Sequence, residues 1–242
     1  MRIDWLESVD STNEEAKRRA RAGEAGPVWI AARRQTAGRG RRGRAWEGMS
    51  GNLFATGLYT LKTDPARAAQ LSFAAALAVA EVCESVIDRD RIRVKWPNDV
   101  LVGGRKNAGI LLESGTTPGG DLWLAAGIGI NLAAHPSDTD RPATSLKAEG
   151  VSLAPETALD RLVDAFERWR AVWSTEGFAG LRGPWITRAY GIGEPCEVRL
   201  EGETLKGVFA DLAPDGALRL DLPGGQRRMI TAGDVFFPGA VG

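Results

Sequence analysis

Histidine occurs once in these 242 residues, at position 135, and cysteine only twice, at 83 and 196. A Ser-His-Asp or Cys-His relay needs an imidazole base and a histidine-based metal site needs several, so a lone histidine argues against both. Two distant cysteines supply no zinc cluster. Cys83 falls inside an apolar helical pattern and reads as a small buried hydrophobe, and two such thiols point to a reducing compartment. Net charge is also missing, with 31 basic residues against 31 acidic ones. A general nucleic-acid or membrane-surface binder is usually more basic. The start, Met-Arg-Ile-Asp-Trp-Leu-Glu, holds no apolar signal segment, and the apolar run over 71–83 is too short to cross a membrane. A cytoplasmic protein without a membrane partner is expected. No internal repeat, long linker or low-complexity tract occurs.

What is present is an ordinary globular composition, 43% apolar and 26% charged, enough for a packed core. The charge is uneven: residues 1–46 hold eleven Lys or Arg against six Asp or Glu. That excess suits a local anionic ligand better than a polyanionic partner.

Ser11-Thr12-Asn13-Glu14 has the form of a capping box, Ser11 as N-cap and Glu14 three residues on, opening a helix that stops near Gly23. Residues 28–32 and 52–59 read as strands, and Asp64-Pro65 opens a second helix whose apolar positions recur at helical spacing. The middle is β-rich: strands at 92–96 and 100–102, a Gly103-Gly104 hairpin turn, a return over 110–113 and a further strand at 122–130. A third helix fits 155–173, with Leu159, Leu162, Val163, Phe166, Trp169, Val172 and Trp173 as a core stripe. From about Gly193 short strands at 196–200, 204–211, 217–222 and 227–231 alternate with glycine turns, a small barrel-like module in which nothing looks catalytic.

The strongest chemical signal is Gly38-Arg39-Gly40-Arg41-Arg42-Gly43-Arg44-Ala45-Trp46. Glycines let the backbone approach a ligand, four guanidiniums offer forked donors for carboxylate or phosphate oxygens, and Trp46 adds a flat lid. Crowded arginines repel one another unless an anion sits among them, which implies a loop that is mobile until the ligand arrives. A solvated basic turn and an arginine–glycine nucleic-acid patch are the alternatives; neither a Walker loop nor a dinucleotide fingerprint matches. Lys95-Trp96-Pro97-Asn98-Asp99 reads equally as a turn or as a site in which Lys95 meets phosphate, Asn98 bonds a ligand and Asp99 holds Mg²⁺ or orients a nucleophile. Lys106 follows the hairpin turn, where a solvated edge charge is the ordinary alternative. Gly109, and the run Gly127-Ile128-Gly129-Ile130-Asn131, could let a ligand lie against a strand or simply pack tightly.

Taken together, these segments resemble the biotin–protein ligases. The resemblance is carried by Ser11-Thr12-Asn13, Gln35-Thr36-Ala37 with the 38–46 loop, Gly51-Asn52-Leu53, the stretch from Lys95 to Asp99, Lys106 with Ala108-Gly109-Ile110-Leu111, the glycine run ending at Asn131, and Ala143-Thr144-Ser145-Leu146. It implies an α+β fold, a mixed sheet with packed helices like the class II synthetase cores, over residues 1–190, and a small SH3-like β-barrel over 191–242. It also implies an ATP-dependent ligase that makes biotinyl-5′-AMP and then biotinylates a lysine of a biotin carboxyl carrier protein, an acetyl-CoA carboxylase subunit. On this resemblance Ser11, Thr12, Asn13, Gln35, Gly38, Arg39, Gly40, Gly109 and Gly127 surround biotin. Arg41 and Lys106 meet the reacting carboxylate and α-phosphate, with Asp99 as a third catalytic residue. Arg42, Arg44, Trp46, Lys95, Asn98 and Asn131 serve the nucleotide, and Mg²⁺ accompanies ATP without a firm protein ligand set. The pattern starts at residue 11, so the short form without a helix-turn-helix and without DNA binding is implied; a homodimer is left open. Asn107 stands where the family usually has an apolar residue, bearing on local packing. Arg33-Arg34 replaces a less basic pair, bearing on the biotin-pocket rim. The nearest rivals are lipoate or octanoate ligases and transferases of the same general fold. The transferases use a cysteine nucleophile, and neither cysteine here stands in a glycine-rich motif.

Overall fold

The computed structural model describes residues 1–137, 139 and 142–238; the last four residues of the expected C-terminal module lie outside these. A seven-stranded sheet runs in the order β1-β2-β3-β7-β6-β5-β4. Its strands are β1 (Arg2–Leu6), β2 (Val28–Ala32), β3 (Leu53–Leu61), β4 (Ile92–Lys95), β5 (Asp99–Val102), β6 (Arg105–Thr116) and β7 (Leu122–Ile130). β1 and β2 pair in parallel and every other pair is antiparallel, so the sheet is mixed, as expected. β2 is buried along its whole length and its side chains divide by the two-residue period. Trp29 and Ala31 join the main core, while Val28 and Ile30 face a smaller cluster with Ala16, Ala20, Leu58, Trp123 and Ala125.

Helices cover the two faces unequally. On the main-core side lie α3 (Leu71–Glu84) and α4 (Pro155–Glu176), with α2 (Pro65–Ala69) ahead of α3. Asp64 caps α2 by accepting from the Arg67 backbone N–H at 2.8 Å, with Pro65 in the first turn. Pro65–Glu84 together make 20 residues, long and apolar enough by composition to cross a membrane, contrary to the expectation from 71–83 alone. With 67% of that window buried within the fold, it is a core helix pressed between sheet and α4. The α4 stripe packs inward, with the Phe166 ring 5.5 Å edge-on to Trp29. α1 (Thr12–Arg21) covers part of the opposite face. Beyond its N-terminal end that face carries Gly109, Gly127 and Gly129 instead of large side chains, and a hollow remains.

Three strands or α-helices escaped the sequence reading, the first of them β1. α5 (Phe178–Arg188) carries three helix-poor signals, Gly180, Gly183 and Pro184, but buries Phe178, Leu181 and Trp185, and that burial outweighs propensity. β12 (Asp234–Phe236) is only three residues long. It completes a five-stranded antiparallel sheet with β8 (Pro195–Arg199), β9 (Thr204–Leu212), β10 (Leu218–Asp221) and β11 (Arg227–Ile230), in the order β11-β10-β9-β8-β12. This sheet shares the main core through Val198, Phe209, Leu218 and Leu220. Trp96 Nε1–H donates to the Gly216 carbonyl at 3.2 Å across the junction.

One irregularity aims a side chain. The Gly103-Gly104 turn, with φ of +55° and +76°, closes the β5–β6 hairpin. Its register runs Asp99↔Gly109, Val100↔Ala108 and then Leu101↔Lys106, so Asn107 is an extra, bulged residue. Strict alternation would put Lys106 on the face of Ala108 and Ile110, in the core. The bulge turns Lys106 out to the open face and sends Asn107 inward, wholly buried. There Asn107 Nδ2 donates to the Asn131 carbonyl at 2.8 Å, and its Oδ1 accepts from the Cys83 thiol at 3.5 Å. A polar residue at this position is therefore satisfied rather than disruptive. Asn107→Ala removes one of the two donors to the Asn131 carbonyl, which keeps the Leu146 N–H at 3.0 Å, and opens a void. We expect a loss of about 1–3 kcal/mol, read as a lower urea midpoint at unchanged slope; an unchanged midpoint contradicts this account of the bulge.

Candidate active site

The hollow is a cavity of about 770 Å³, lined by the start of α1, the 38–46 loop, Asn98, Asp99, Lys106, the glycine positions of β6 and β7, and Asn131. It falls within the size range of small-molecule and cofactor sites. Of the residues expected to act, Ser11, Thr12, Asn13, Gln35, Arg39, Gly40, Arg41, Arg44, Trp46, Asn98, Asp99, Lys106, Gly109, Gly127 and Asn131 all line it. Gly38, Arg42 and Lys95 do not. The Lys95 ammonium lies 5.5 Å above the Phe237 ring. The Arg33 guanidinium stacks on Trp5 and pairs with Glu156 at 2.6 Å, so Arg33 does not shape the rim.

One end is neutral and rich in hydrogen bonds. Ser11 occupies the N-cap position with extended backbone, but its side chain makes no capping bond. Glu14 pairs instead with Lys17 at 2.8 Å and with Arg39, so the expected capping box does not form and the Ser11 hydroxyl stays at the cavity wall. Gln35 Oε1 accepts from the Thr12 backbone N–H at 2.8 Å and from its hydroxyl at 3.1 Å. Thr56, wholly buried in β3, places its hydroxyl 2.7 Å from Asn13 Oδ1 and 2.8 Å from Thr12 Oγ1. Asn13 Nδ2 donates to the Leu111 carbonyl and to Glu113 Oε2, at 3.1 and 3.0 Å. Desolvation pushes the Glu113 pKa up, but Lys17, Asn13 and Arg39 outweigh it and hold the carboxyl below its ordinary value. Thr56 and Glu113 were missed from sequence. The available signal was a hydroxyl between Ala55 and Gly57 in β3 and a carboxylate closing the apolar run Ile110-Leu111-Leu112 of β6.

The loop is a tight hairpin. Trp46 N–H donates to the Gly38 carbonyl at 2.9 Å, and Gly40 N–H to the Arg44 carbonyl at 2.7 Å. A Cβ on Gly38 would sit 2.4 Å from the Trp46 carbonyl oxygen, so glycine is required there. The turn passes through Arg42 at φ +55° and Gly43 at φ +72°. The mutual repulsion of the arginines is met by carboxylates of the chain itself. Arg39 pairs with Glu14 and lies 3.9 Å from Glu113; Arg42 and Arg44 pair with Asp234 of β12 at 3.3 and 3.0 Å. Arg41, less exposed than the other three, donates to Asn98 Oδ1 at 3.2 Å and to the Gly233 carbonyl at 3.3 Å. Burial first, then the Arg42 and Arg44 charges, lower its pKa against the pull of Asp234 and Asp99, yet a guanidinium stays charged. The C-terminal sheet also gives Arg199 and Phe236 to the cavity wall, contrary to the expectation that nothing in it serves the site.

Lys106 Nζ lies 2.7 Å from Asp99 Oδ1 and 5.4 Å from the Trp46 ring centroid. The Trp46 indole covers two glycines, where an added Cβ would fall 2.8 Å from the ring at Gly109 and 2.5 Å at Gly129. At Gly127 it would fall 1.9 Å from Asn13 Oδ1. Trp46 and Asn13 thus lie against Gly109 and Gly127, both of which still line the cavity. Asn131 is buried and donates to the Thr144 carbonyl at 3.1 Å, and Asn52 Oδ1 gathers the backbone N–H groups of Leu132, Ala133 and Ala134 just beyond it. Both cysteines are free and buried, and burial pushes the thiols up to about 12 for Cys83 and about 11 for Cys196, leaving no thiolate nucleophile at neutral pH.

A neutral, hydrogen-bonding end, a cationic loop and a lysine thus share one open sheet face. Residues 5–131 match the biotin/lipoate A/B protein ligase family, and residues 191–237 match the biotin protein ligase C terminal domain. The biotin–[acetyl-CoA-carboxylase] ligase of Paracoccus denitrificans is 43% identical over 97% of this chain and 100% of its own length. This chain belongs to the biotin protein ligases. The bifunctional ligase/repressor BirA of Escherichia coli K12 is 31% identical over 90% of this chain and 69% of its own. The biotin protein ligase of Aquifex aeolicus in complex with biotin and ATP superposes with a TM-score of 0.81, at 26% identity over 97% of both chains. In this ligase the Trp46 indole ties the loop to the sheet. Gly129→Ala drives a methyl into that ring, so trypsin should cut between Arg39 and Arg44 several-fold faster with little change in the unfolding midpoint; an unchanged cleavage rate contradicts the tie.

Proposed function

We infer that this ligase activates biotin with ATP and then transfers it to a lysine of a carrier protein. In the first half-reaction a biotin carboxylate oxygen attacks the α-phosphorus of ATP, the bond to the bridging oxygen breaks, and pyrophosphate leaves with that electron pair. In the second, the carrier lysine, its amine deprotonated, attacks the acyl carbon of biotinyl-5′-AMP, and AMP leaves. The observation that carries this reading is a single cavity with a neutral, hydrogen-bonding end and an end where Arg41, Arg44 and Lys106 converge. The first suits a ureido ring, and the second suits a carboxylate brought up to a phosphate.

The cost these residues meet is like-charge repulsion. A carboxylate held about 4 Å from a phosphate charge is opposed by about 4 kcal/mol at the effective dielectric of a partly buried site. Fixed cations remove that cost and stabilise charge as it moves onto pyrophosphate, without reorganisation during the reaction. We assign Ser11, Thr12 and Gln35 to the biotin ring, with Asn13 and Glu113 holding that wall in place. Arg39, Arg41 and Lys106 go to the carboxylate and α-phosphate. Asp99 acts as a positioning residue that holds the Lys106 ammonium. Arg44, Trp46, Asn98 and Asn131 go to the nucleotide. Lys95, outside the lining, acts on the phosphates only through charge at longer range, whereas Arg42 stands beside Arg44 on Asp234. Among the described residues no group of three or more His, Cys, Asp and Glu gathers to hold a metal ion. Glu47 and Asp99 are the carboxylates of the lining, and Asp99 is paired with Lys106. Mg²⁺ accordingly enters this reading with the triphosphate, whose charge it shares.

The carrier follows from the name of the Paracoccus relative, the biotin-bearing subunit of acetyl-CoA carboxylase. We place the reaction in the cytoplasm, in keeping with two unpaired cysteines. A formal charge of zero supports activity without DNA contact. We propose residues 1–190 as the catalytic unit and 191–242 as a unit that completes the phosphate end.

ATP–pyrophosphate exchange, with biotin, lipoate or octanoate supplied one at a time, tests the reading. Exchange with biotin alone is expected, and exchange with lipoate but not biotin overturns it. Lys106→Ala should lower biotin-dependent exchange by about 10²–10³-fold, the usual cost of removing one preorganised charge stabiliser; unchanged exchange removes Lys106 from its role.

A further inference from the structure

β12 and β8 pair with Asp234 opposite Arg199, Val235 opposite Val198 and Phe236 opposite Glu197. Val235 and Val198 are buried in the core, so alternation turns Asp234, Phe236, Arg199 and Glu197 to the other face, toward the arginine loop and the cavity. There Arg199 stacks on Phe236 at 4.0 Å and pairs with Glu197 at 2.8 Å. The Asp234 side chain, only 12% exposed, receives Arg42 on one carboxylate oxygen and Arg44 on the other. Immediately before it, the Gly233 carbonyl receives Arg41.

Two guanidiniums converging on one two-oxygen anion is also the arrangement in which arginines receive a phosphate. The turn they hold is not a relaxed one, because Arg42 sits at φ +55°, where residues other than glycine are uncommon. A restraint from outside the loop is therefore needed, and β12 supplies it.

We propose that Asp234 is an internal counter-anion, a positioning residue that holds the loop arginines in the absence of nucleotide and competes with the polyphosphate for them. The proposal rests on the reading that this site takes the triphosphate of ATP. On binding, Arg42 and Arg44 exchange a carboxylate partner for phosphate oxygens. After adenylate forms, Asp234 reclaims them and helps pyrophosphate leave. Phosphate affinity is thereby set from the C-terminal sheet, by a residue that contacts no substrate.

The test uses the whole chain and inorganic pyrophosphate as the probe, titrated calorimetrically without biotin. Asp234→Asn should bind pyrophosphate about five- to tenfold more tightly at low salt, with the gain shrinking at high salt as the charges are screened. Asp234→Glu should stay within about twofold of wild type. In an Arg42→Gln, Arg44→Gln background the Asp234→Asn effect should vanish. A role confined to anchoring the loop predicts weaker or unchanged pyrophosphate binding by Asp234→Asn, and that result overturns the proposal. A readout needing no variant is the ¹³C resonance of the Asp234 carboxyl in wild type, expected to shift as pyrophosphate is added; an unmoved resonance at saturation also overturns it. Biotin-dependent exchange by wild type separates the two levels. Exchange without tighter binding by the variant sinks the counter-anion alone, whereas no exchange sinks the reading beneath it.

Discussion

Positive charge that must wait for its ligand is the constraint around which this structure is arranged. Joining a carboxylate to a triphosphate requires cations in one small space, and those cations repel one another until the anions arrive. The chain meets the difficulty with its own carboxylates. Glu14 and Glu113 take Arg39, Asp234 takes Arg42 and Arg44, and Asp99 takes Lys106. Arg41, less exposed than the other three, is held by neutral oxygens from Asn98 and Gly233. The loop is consequently built into a hairpin rather than left as a cluster of loose arginines.

The sheet makes this possible by leaving one face partly bare. α3 and α4 fill the other side with apolar volume, so stability does not depend on covering the cavity. α1 closes one end and brings Thr12 and Asn13 to Gln35 and Thr56. The bulge at Asn107 then turns Lys106 toward the loop, and the buried Asn107 ties that bulge to the backbone of Asn131. Asn107 thus links Lys106, its neighbour at the bulge, to the backbone just beyond β7 at Asn131.

Much of this was legible in the sequence because the signals are local. The strand periods, the Asp64-Pro65 helix start, the Gly103-Gly104 turn and the order of the loop, the Lys95–Asp99 stretch and Lys106 all lie within short windows. What could not be read depends on pairs far apart in the chain. Ser11 and Glu14 carry the capping-box spelling, but Lys17 and Arg39 capture Glu14, and nothing within that tetrapeptide announces it. Asp234 lies 190 residues beyond Arg44 in a three-residue strand too short to carry a periodic pattern. Gly109 and Gly127 signalled close approach, but that Trp46 and Asn13 are the side chains set against them depends on folding.

The central claim is that the gathered cations serve adenylate formation specifically, not substrate binding in general or the later transfer. Single-turnover kinetics on Arg41→Gln separate these steps, timing biotinyl-5′-AMP formation from biotin and ATP and, independently, carrier labelling from preformed biotinyl-5′-AMP. The account predicts adenylate formation slowed by about a hundredfold or more, with transfer from the preformed adenylate within a few-fold of wild type. Equal losses in both steps, or full-speed adenylate formation, would contradict it.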